Sequence, residues 1–236
     1  MTLITEALDR AARQVSLTAP GSWITASEQK YAEIRDDFLL ETADDILERI
    51  DLPSPVGAQV TIAGTGVATY ALPGDFKRLQ RDQMAVYDAS LNRPVRPVTT
   101  DGEWTYQKDI GLSGVEKYYR IAGYEGNYTI SFQDAPTGTI TVSYVTVNWK
   151  ATAAGSAGNA FTRPDDILIL PRRAVESGIV WRWRERKGLP YQDKYMEYES
   201  LLARLSNDAR GRRVINFGTA HPVRWQDQVP AVIPVI

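Results

Sequence analysis

The change of apolar period along the chain constrains its fold more than any other feature. Residues 1–50 repeat apolar side chains at helical spacing, residues 52–149 break into short Val, Ile, Thr and Tyr runs separated by Gly, Pro and Asp, and helical spacing returns after Pro171. Ile4, Leu8, Ala11 and Val15 place a short amphipathic helix over residues 3–15, and Pro20-Gly21 breaks it. Thr25 and Glu28 have capping-box spacing, so a second helix is expected to begin there. It would carry Tyr31, Ile34, Phe38, Leu39, Ala43, Ile46, Leu47 and Ile50 on a stripe broad enough to be buried.

In the middle of the chain the candidate strands are residues 59–62, 68–71, 83–87, 95–98, 118–121, 128–132 and 140–149. Gly64-Thr65-Gly66 suits a tight hairpin, and with no lysine or helix start after it, it is not a phosphate loop. Residues 101–106 suggest one helical turn, and the small residues 151–159 read as a flexible connector. Thr162, Pro164 and Asp165 suggest a capped turn that ends at Pro171, where the main helix starts with Ala174, Val175, Ile179 and Trp183 on one side. Gly188 and Pro190 stop it, and a last helix bears Tyr191, Tyr195, Tyr198, Leu201, Leu202, Leu205 and Ala209 before Gly211.

The expected fold class is therefore α+β: terminal α-helices packed as a bundle, with an inserted antiparallel β region and an extended C-terminal arm. Residues 1–211 are expected to form a single domain, with N-terminal helices over 1–50, a β-rich insertion over 51–150 and C-terminal helices over 163–211. Residues 212–236 form the arm, in which Val214, Ile215, Phe217, Val223, Trp225, Val229, Val232, Ile233, Val235 and Ile236 are interrupted by Gly218, Pro222, Pro230 and Pro234. The prolines exclude a helix, and the apolar content is the opposite of a solvated tail. Such an arm either packs on its own globule or leaves it to add a strand or fill a groove on another protein.

Composition closes several routes to chemistry. The chain has no cysteine, so disulfides, thiolate metal sites and a thiol nucleophile are absent. No apolar run reaches the roughly 20 residues that span a bilayer, and Met1-Thr2-Leu3-Ile4-Thr5-Glu6 lacks the basic start of a signal peptide, so neither secretion nor membrane insertion is expected. On that reading the Asn127-Tyr128-Thr129 sequon goes unused. The only histidine, His221, lies beside Pro222, which argues against a Ser-His-Asp relay or a His-rich metal site. Two carboxylates suffice for glycoside hydrolysis, so that activity stays open. Trp104, Tyr106, Tyr118, Tyr119, Tyr124 and Tyr128 suit either a sugar platform or, more economically, strand packing. Asp36, Asp37, Asp44 and Asp45 read as a solvated face rather than a metal site.

A net charge of −2 conceals an asymmetry: residues 1–50 carry ten acids and five bases, and residues 163–213 twelve bases and eight acids. That polarity would orient identical subunits against one another, put a basic surface near nucleic acid, or merely decorate solvated faces. In Trp181-Arg182-Trp183-Arg184-Glu185-Arg186-Lys187, Arg182 and Arg186 share a helix face and Trp183 turns to the apolar side. Arg182, Arg184 and Arg186 are thus candidate channel or subunit-interface residues.

The order of motifs resembles the head-to-tail adaptor (connector, or tail accessory factor) family of short-tailed bacteriophages. Tyr70-Ala71-Leu72-Pro73-Gly74-Asp75-Phe76-Lys77-Arg78 holds a Leu-Pro-x-Asp-Phe core similar to a recurrent family segment, followed in order by Tyr119-Arg120-Ile121-Ala122-Gly123, residues 136–144 and the helix of residues 174–188. The resemblance implies a virion structural protein, not an enzyme, with no cofactor, metal or catalytic residue. It implies a homo-oligomeric, twelve-fold ring at the head-tail junction, assembled in the host cytoplasm. Such a ring docks on the portal protein, continues the DNA channel with non-specific proximity to packaged DNA, and offers the dock for the tail nozzle or hub. Arg212, Arg213, Ile215, Phe217, Val223, Trp225, Val232 and Ile233 are then the candidate contacts with the portal or a neighbouring subunit. The alternative readings are a phage-associated cell-wall glycosidase or a carbohydrate-binding tail module.

Overall fold

The computed structural model describes residues 2–81, 84–110 and 117–209. Its helices are α1 (Ile4–Gln14), α2 (Gln29–Ala32), α3 (Leu39–Arg49), α4 (Asp101–Ile110), α5 (Arg172–Arg186) and α6 (Gln192–Ala209), with a π-helical segment Glu33–Phe38 joining α2 and α3 into one rod. The wider π turn shifts the apolar stripe, so that Ile34, Phe38 and Leu39 are all buried. The rod starts at Gln29 with no side-chain cap, and Thr25 lies outside it. The expected capping box is replaced by the Arg35 guanidinium, which donates to the carbonyls of Trp23 at 2.8 Å and Ile24 at 3.0 Å and holds that stretch as a turn.

α5 sits at the centre of the helical region, against α1 on one side, the α2–α3 rod on another and α6 on a third. Ala174, Val175, Ile179 and Trp183 are buried there with Leu8, Ile46, Leu47 and Tyr198. A Cβ on Gly178 would stand 2.2 Å from Thr42 Cγ2, so only glycine lets α5 approach α3 this closely.

A helical bundle with a β insertion does not describe the whole, which is a strand-rich α+β fold. Thirteen strands make three sheets among the described residues. One sheet lies outside the expected insertion except for its last residue, Lys150: Thr2–Leu3 pairs with Ile167–Leu168, which pairs with Lys150–Ala151, which pairs with Ala157–Gly158. The small residues expected to be a flexible connector thus form a hairpin, in which the Thr152 amide donates to the Ser156 carbonyl at 2.8 Å and whose first strand carries the buried Lys150. Its ammonium reaches Asp166 Oδ2 at 2.8 Å, and the amides of Thr162 (2.9 Å) and Arg163 (3.0 Å) donate to the same oxygen. The capped turn expected on Asp165 is therefore organised by Asp166 instead, without a helix.

The other two sheets face each other across a second core of Ile62, Phe76, Val86, Tyr119, Ile130, Phe132, Ile140, Val142 and Tyr144. In the first sheet Thr139–Thr146 is central, with Gly57–Ala63 along one side and Val86–Asp88 and Phe76–Leu79 sharing the other. The second sheet runs Thr69–Ala71, Thr129–Phe132, Tyr118–Ala122, Arg96–Pro97. Gly64-Thr65-Gly66 is not a hairpin, since the strands it joins lie in different sheets; the Gly64 and Gly66 amides bond the carbonyls of Gly138 and Pro136. The expected single turn near residue 101 is a full helix, α4.

Candidate functional site

The segment Tyr70-Ala71-Leu72-Pro73-Gly74-Asp75-Phe76-Lys77-Arg78 is the joint between the two cores. Leu72 and Phe76 are buried in the β core, where Phe76 packs on Tyr128 at 5.2 Å and Tyr144 at 5.6 Å between ring centroids. Asp75 accepts from the Tyr144 hydroxyl at 3.1 Å and the Asn148 amide at 3.3 Å. Lys77 pairs with Asp44 on the rod. Arg78 closes the rod's C-terminus: it donates to the carbonyls of Leu47 and Ile50, each at 3.0 Å, and to Asp51 at 2.6 Å. A cation on the last carbonyls of a helix satisfies groups that have no partner within it and meets the negative end of its dipole.

The charge asymmetry between the ends of the sequence is largely answered inside the chain. Arg182 lies over Trp181 at 4.5 Å, donates to Thr42 Oγ1 at 3.1 Å, and stands 3.4 Å from Glu41 and 3.6 Å from Asp45. Its side chain is only 11% exposed, so it is a packing residue of α5 against α3 rather than an open surface charge. Arg184 donates to the Pro190 carbonyl at 3.3 Å, and half-exposed Arg186 stands 3.8 Å from Asp37. The structure thus separates the three candidates, with Arg182 facing inward and Arg186 outward. Lys187 donates to Glu33 at 2.8 Å and Arg49 grips Glu199 with two bonds of 2.7 and 2.5 Å. These partners hold both carboxyls below the usual range, Glu33 through Lys187 and Glu199 through Arg49. Burial pushes Glu176 up against the opposing pull of Arg172 and Arg10.

Asp36, Asp37 and Asp44 meet Arg35, Arg186 and Lys77 respectively, while Asp45 stands between Arg49 and Arg182 and accepts from the Tyr198 hydroxyl at 2.6 Å. No cluster of His, Cys, Asp and Glu suited to a metal occurs among the described residues. The aromatic candidates do not share a platform. Trp104 and Tyr119 are buried, Tyr128 packs on Phe76, and the widely exposed ones are Tyr106 on α4 and Tyr124 in a turn. A different aromatic group does assemble: Tyr191, Tyr195 and Tyr198 surround Trp181 within 6.4 Å. Its signal was the i, i+4, i+7 spacing of the tyrosines, but the partner Trp181 comes from another helix.

Arg212, Arg213, Ile215, Phe217, Val223, Trp225, Val232 and Ile233, with His221, lie outside the described residues. No helix among the described residues is long and apolar enough to cross a membrane.

The family model of the SU10 adaptor protein matches residues 2–225, which takes in both cores, the joint between them and the first part of the arm. No curated protein matches the chain. The chain belongs to the SU10 adaptor family, a family of phage head-to-tail adaptors.

Proposed function

We propose that this SU10-family adaptor assembles as a ring on the portal, most simply twelve-fold, carries the DNA channel onward and offers the dock for the tail nozzle or hub. The family assignment gives the coarser role: an adaptor at the virion's head-tail junction whose partners are portal and tail proteins, in a family whose role is structural. The observation that carries the finer reading is the reach of the match to residue 225, which brings apolar arm residues into the adaptor pattern. Those residues are poor company for water and suit an extended segment that gains its order on a partner. Arg212, Arg213, Ile215, Phe217, Val223, Trp225, Val232 and Ile233 are the proposed contacts with the portal or a neighbouring subunit. Arg184 and Arg186 are proposed to face the channel or a neighbour, with Arg182 supporting them from within.

The test is to mix the purified protein with the portal ring of the same phage and size the product. The full chain is expected to load onto the portal, and a chain ending at Gly211 is expected to stay folded and fail to load. Equal loading of the two, or no loading of either, would overturn this reading.

A further inference from the structure

Strand Gly57–Ala63 has one partner in its sheet, the central strand Thr139–Thr146, although it is seven residues long. The Gly64 amide donates to Gly138 and the Thr146 amide to Val56, so in this antiparallel register the even-numbered residues 56 to 64 direct their backbone groups to the central strand. Gln59, Thr61 and Ala63 direct their N–H and C=O groups the other way. The amide of Gly57 is already taken by the Pro53 carbonyl at 3.2 Å. Nothing among the described residues pairs with the outward groups of Gln59, Thr61 and Ala63, and all three residues are exposed. The inner face of the same strand is also unfinished: Ala58 and Val60 are only partly buried against the β core. A long open edge of this kind is a template for another strand. Proteins usually blunt such edges with lysine, proline or a bulge, and the sequence Gly-Ala-Gln-Val-Thr-Ile-Ala carries neither lysine nor proline and pairs without a register shift.

The chain itself contains a matching donor. Residues 223–229, Val-Arg-Trp-Gln-Asp-Gln-Val, are seven residues bounded by Pro222 and Pro230. Val223, Trp225 and Val229 fall on one face of a strand, with Asp227 the single charge on that face, and Arg224, Gln226 and Gln228 fall on the other. The flanking prolines cannot donate to a ladder and so limit pairing to this stretch. Laid beside Gly57–Ala63, its apolar face would continue the half-covered Ala58 and Val60, and its polar face would lie with exposed Gln59 and Thr61.

We propose that the edge Gly57–Ala63 accepts residues 223–229 of a second copy of this chain. Donor and acceptor are then different surfaces, so the contact is heterologous and links subunits head to tail, which is the geometry a closed ring needs. The proposal rests on the ring reading above and specifies which part of the arm serves the neighbour, leaving Arg212, Arg213, Ile215 and Phe217 on one side and Val232 and Ile233 on the other for the portal.

The absence of cysteine makes the test clean. Thr61→Cys and Gln226→Cys chains, each otherwise full length, are mixed on the portal ring and treated with a short bismaleimide. The expected product is a covalent pair of two copies that requires both cysteines and is lost when Thr61→Pro is placed in chains bearing Ala63→Cys as the acceptor. In parallel, amide exchange at Gln59, Thr61 and Ala63 is expected to slow about tenfold or more on assembly of the full chain and not of a chain ending at Pro222. Cross-linking confined to single chains carrying both cysteines would mean that the arm folds back on its own subunit, and the proposal falls. Portal loading without any cross-link or protection also overturns it while leaving the adaptor-ring reading intact. Failure to load on the portal at all overturns both.

Discussion

The helical region and the β region close themselves by different means. Around α5, long charged side chains find partners within the same chain: Arg182 with Glu41 and Asp45, Lys187 with Glu33, Arg49 with Glu199. In the β region the side chains fill a compact core, yet a seven-residue strand keeps the outward backbone groups of Gln59, Thr61 and Ala63 without a partner among the described residues. A helix satisfies its backbone internally and only its ends and side chains need answers, whereas a sheet satisfies its backbone only where another strand lies alongside. The difference teaches that charge, the more conspicuous feature of the sequence, is mostly spent on holding one subunit together. The open backbone edge is the feature left over for assembly.

The sharpest way to break this comparison is to remove an internal charge partner. Lys150→Met leaves the buried Asp166 carboxylate without its cation and is expected to cost about 3–5 kcal/mol, as for other buried pairs broken from one side. Chemical denaturation measures it, and a cost below about 1 kcal/mol would show that the two backbone amides hold Asp166 unaided. Next come matched truncations in the two cores. Ile46→Ala and Ile140→Ala, both at fully buried positions, are each expected to cost about 2–4 kcal/mol. If Arg78 and the Leu72–Phe76 anchor couple the regions as one proposed domain, each variant lowers the midpoint of a single calorimetric transition. Two separated transitions, with only one of them moved, would divide the regions.

Acid sharpens the electrostatic half of the comparison. Glu33 and Glu199 sit below their ordinary 4.5 because of Lys187 and Arg49. Asp166 is held below its ordinary 3.8 against the opposing effect of burial, by Lys150 and the amides of Thr162 and Arg163. The unfolded chain binds protons at these groups more readily than the folded one, so their contribution is complete above those ordinary values and is lost as pH falls through the lower folded ones. Glu176, raised by burial, acts in the opposite sense and offsets part of the loss. Unfolding free energy is therefore expected to fall between pH 5 and 3, and a smaller fall is expected in Lys187→Met. Stability that rises steadily over that range would refute the sign.

The smallest effect separates two residues of one helix. Arg186→Ala, at an exposed pair, should change stability by no more than about 1 kcal/mol, whereas Arg182→Ala should cost about 1–3 kcal/mol through lost packing on Trp181 and the lost hydrogen bond to Thr42. Equal costs measured by thermal melts would mean that Arg182 is not the inward member of the pair.

Much of the local order could be read from the chain. The apolar stripe of Ile34, Phe38, Ile46 and Leu47 marked the rod, Ala174 to Trp183 marked the buried face of α5, and the alternation around Ile130 and Val142 marked strands, because period alone decides which side of an element meets a core. The order of motifs also marked the adaptor family. What the sequence left undecided was every relation between distant residues. That Thr2 would join Leu168, that Lys150 would need Asp166, that Gly64 would lead from one sheet to another, and that Arg182 would turn toward Asp45 rather than outward depend on which elements become neighbours. No local signal carries that information, because hydrogen bonds across strands and ion pairs across helices form only once tertiary packing has brought their partners together.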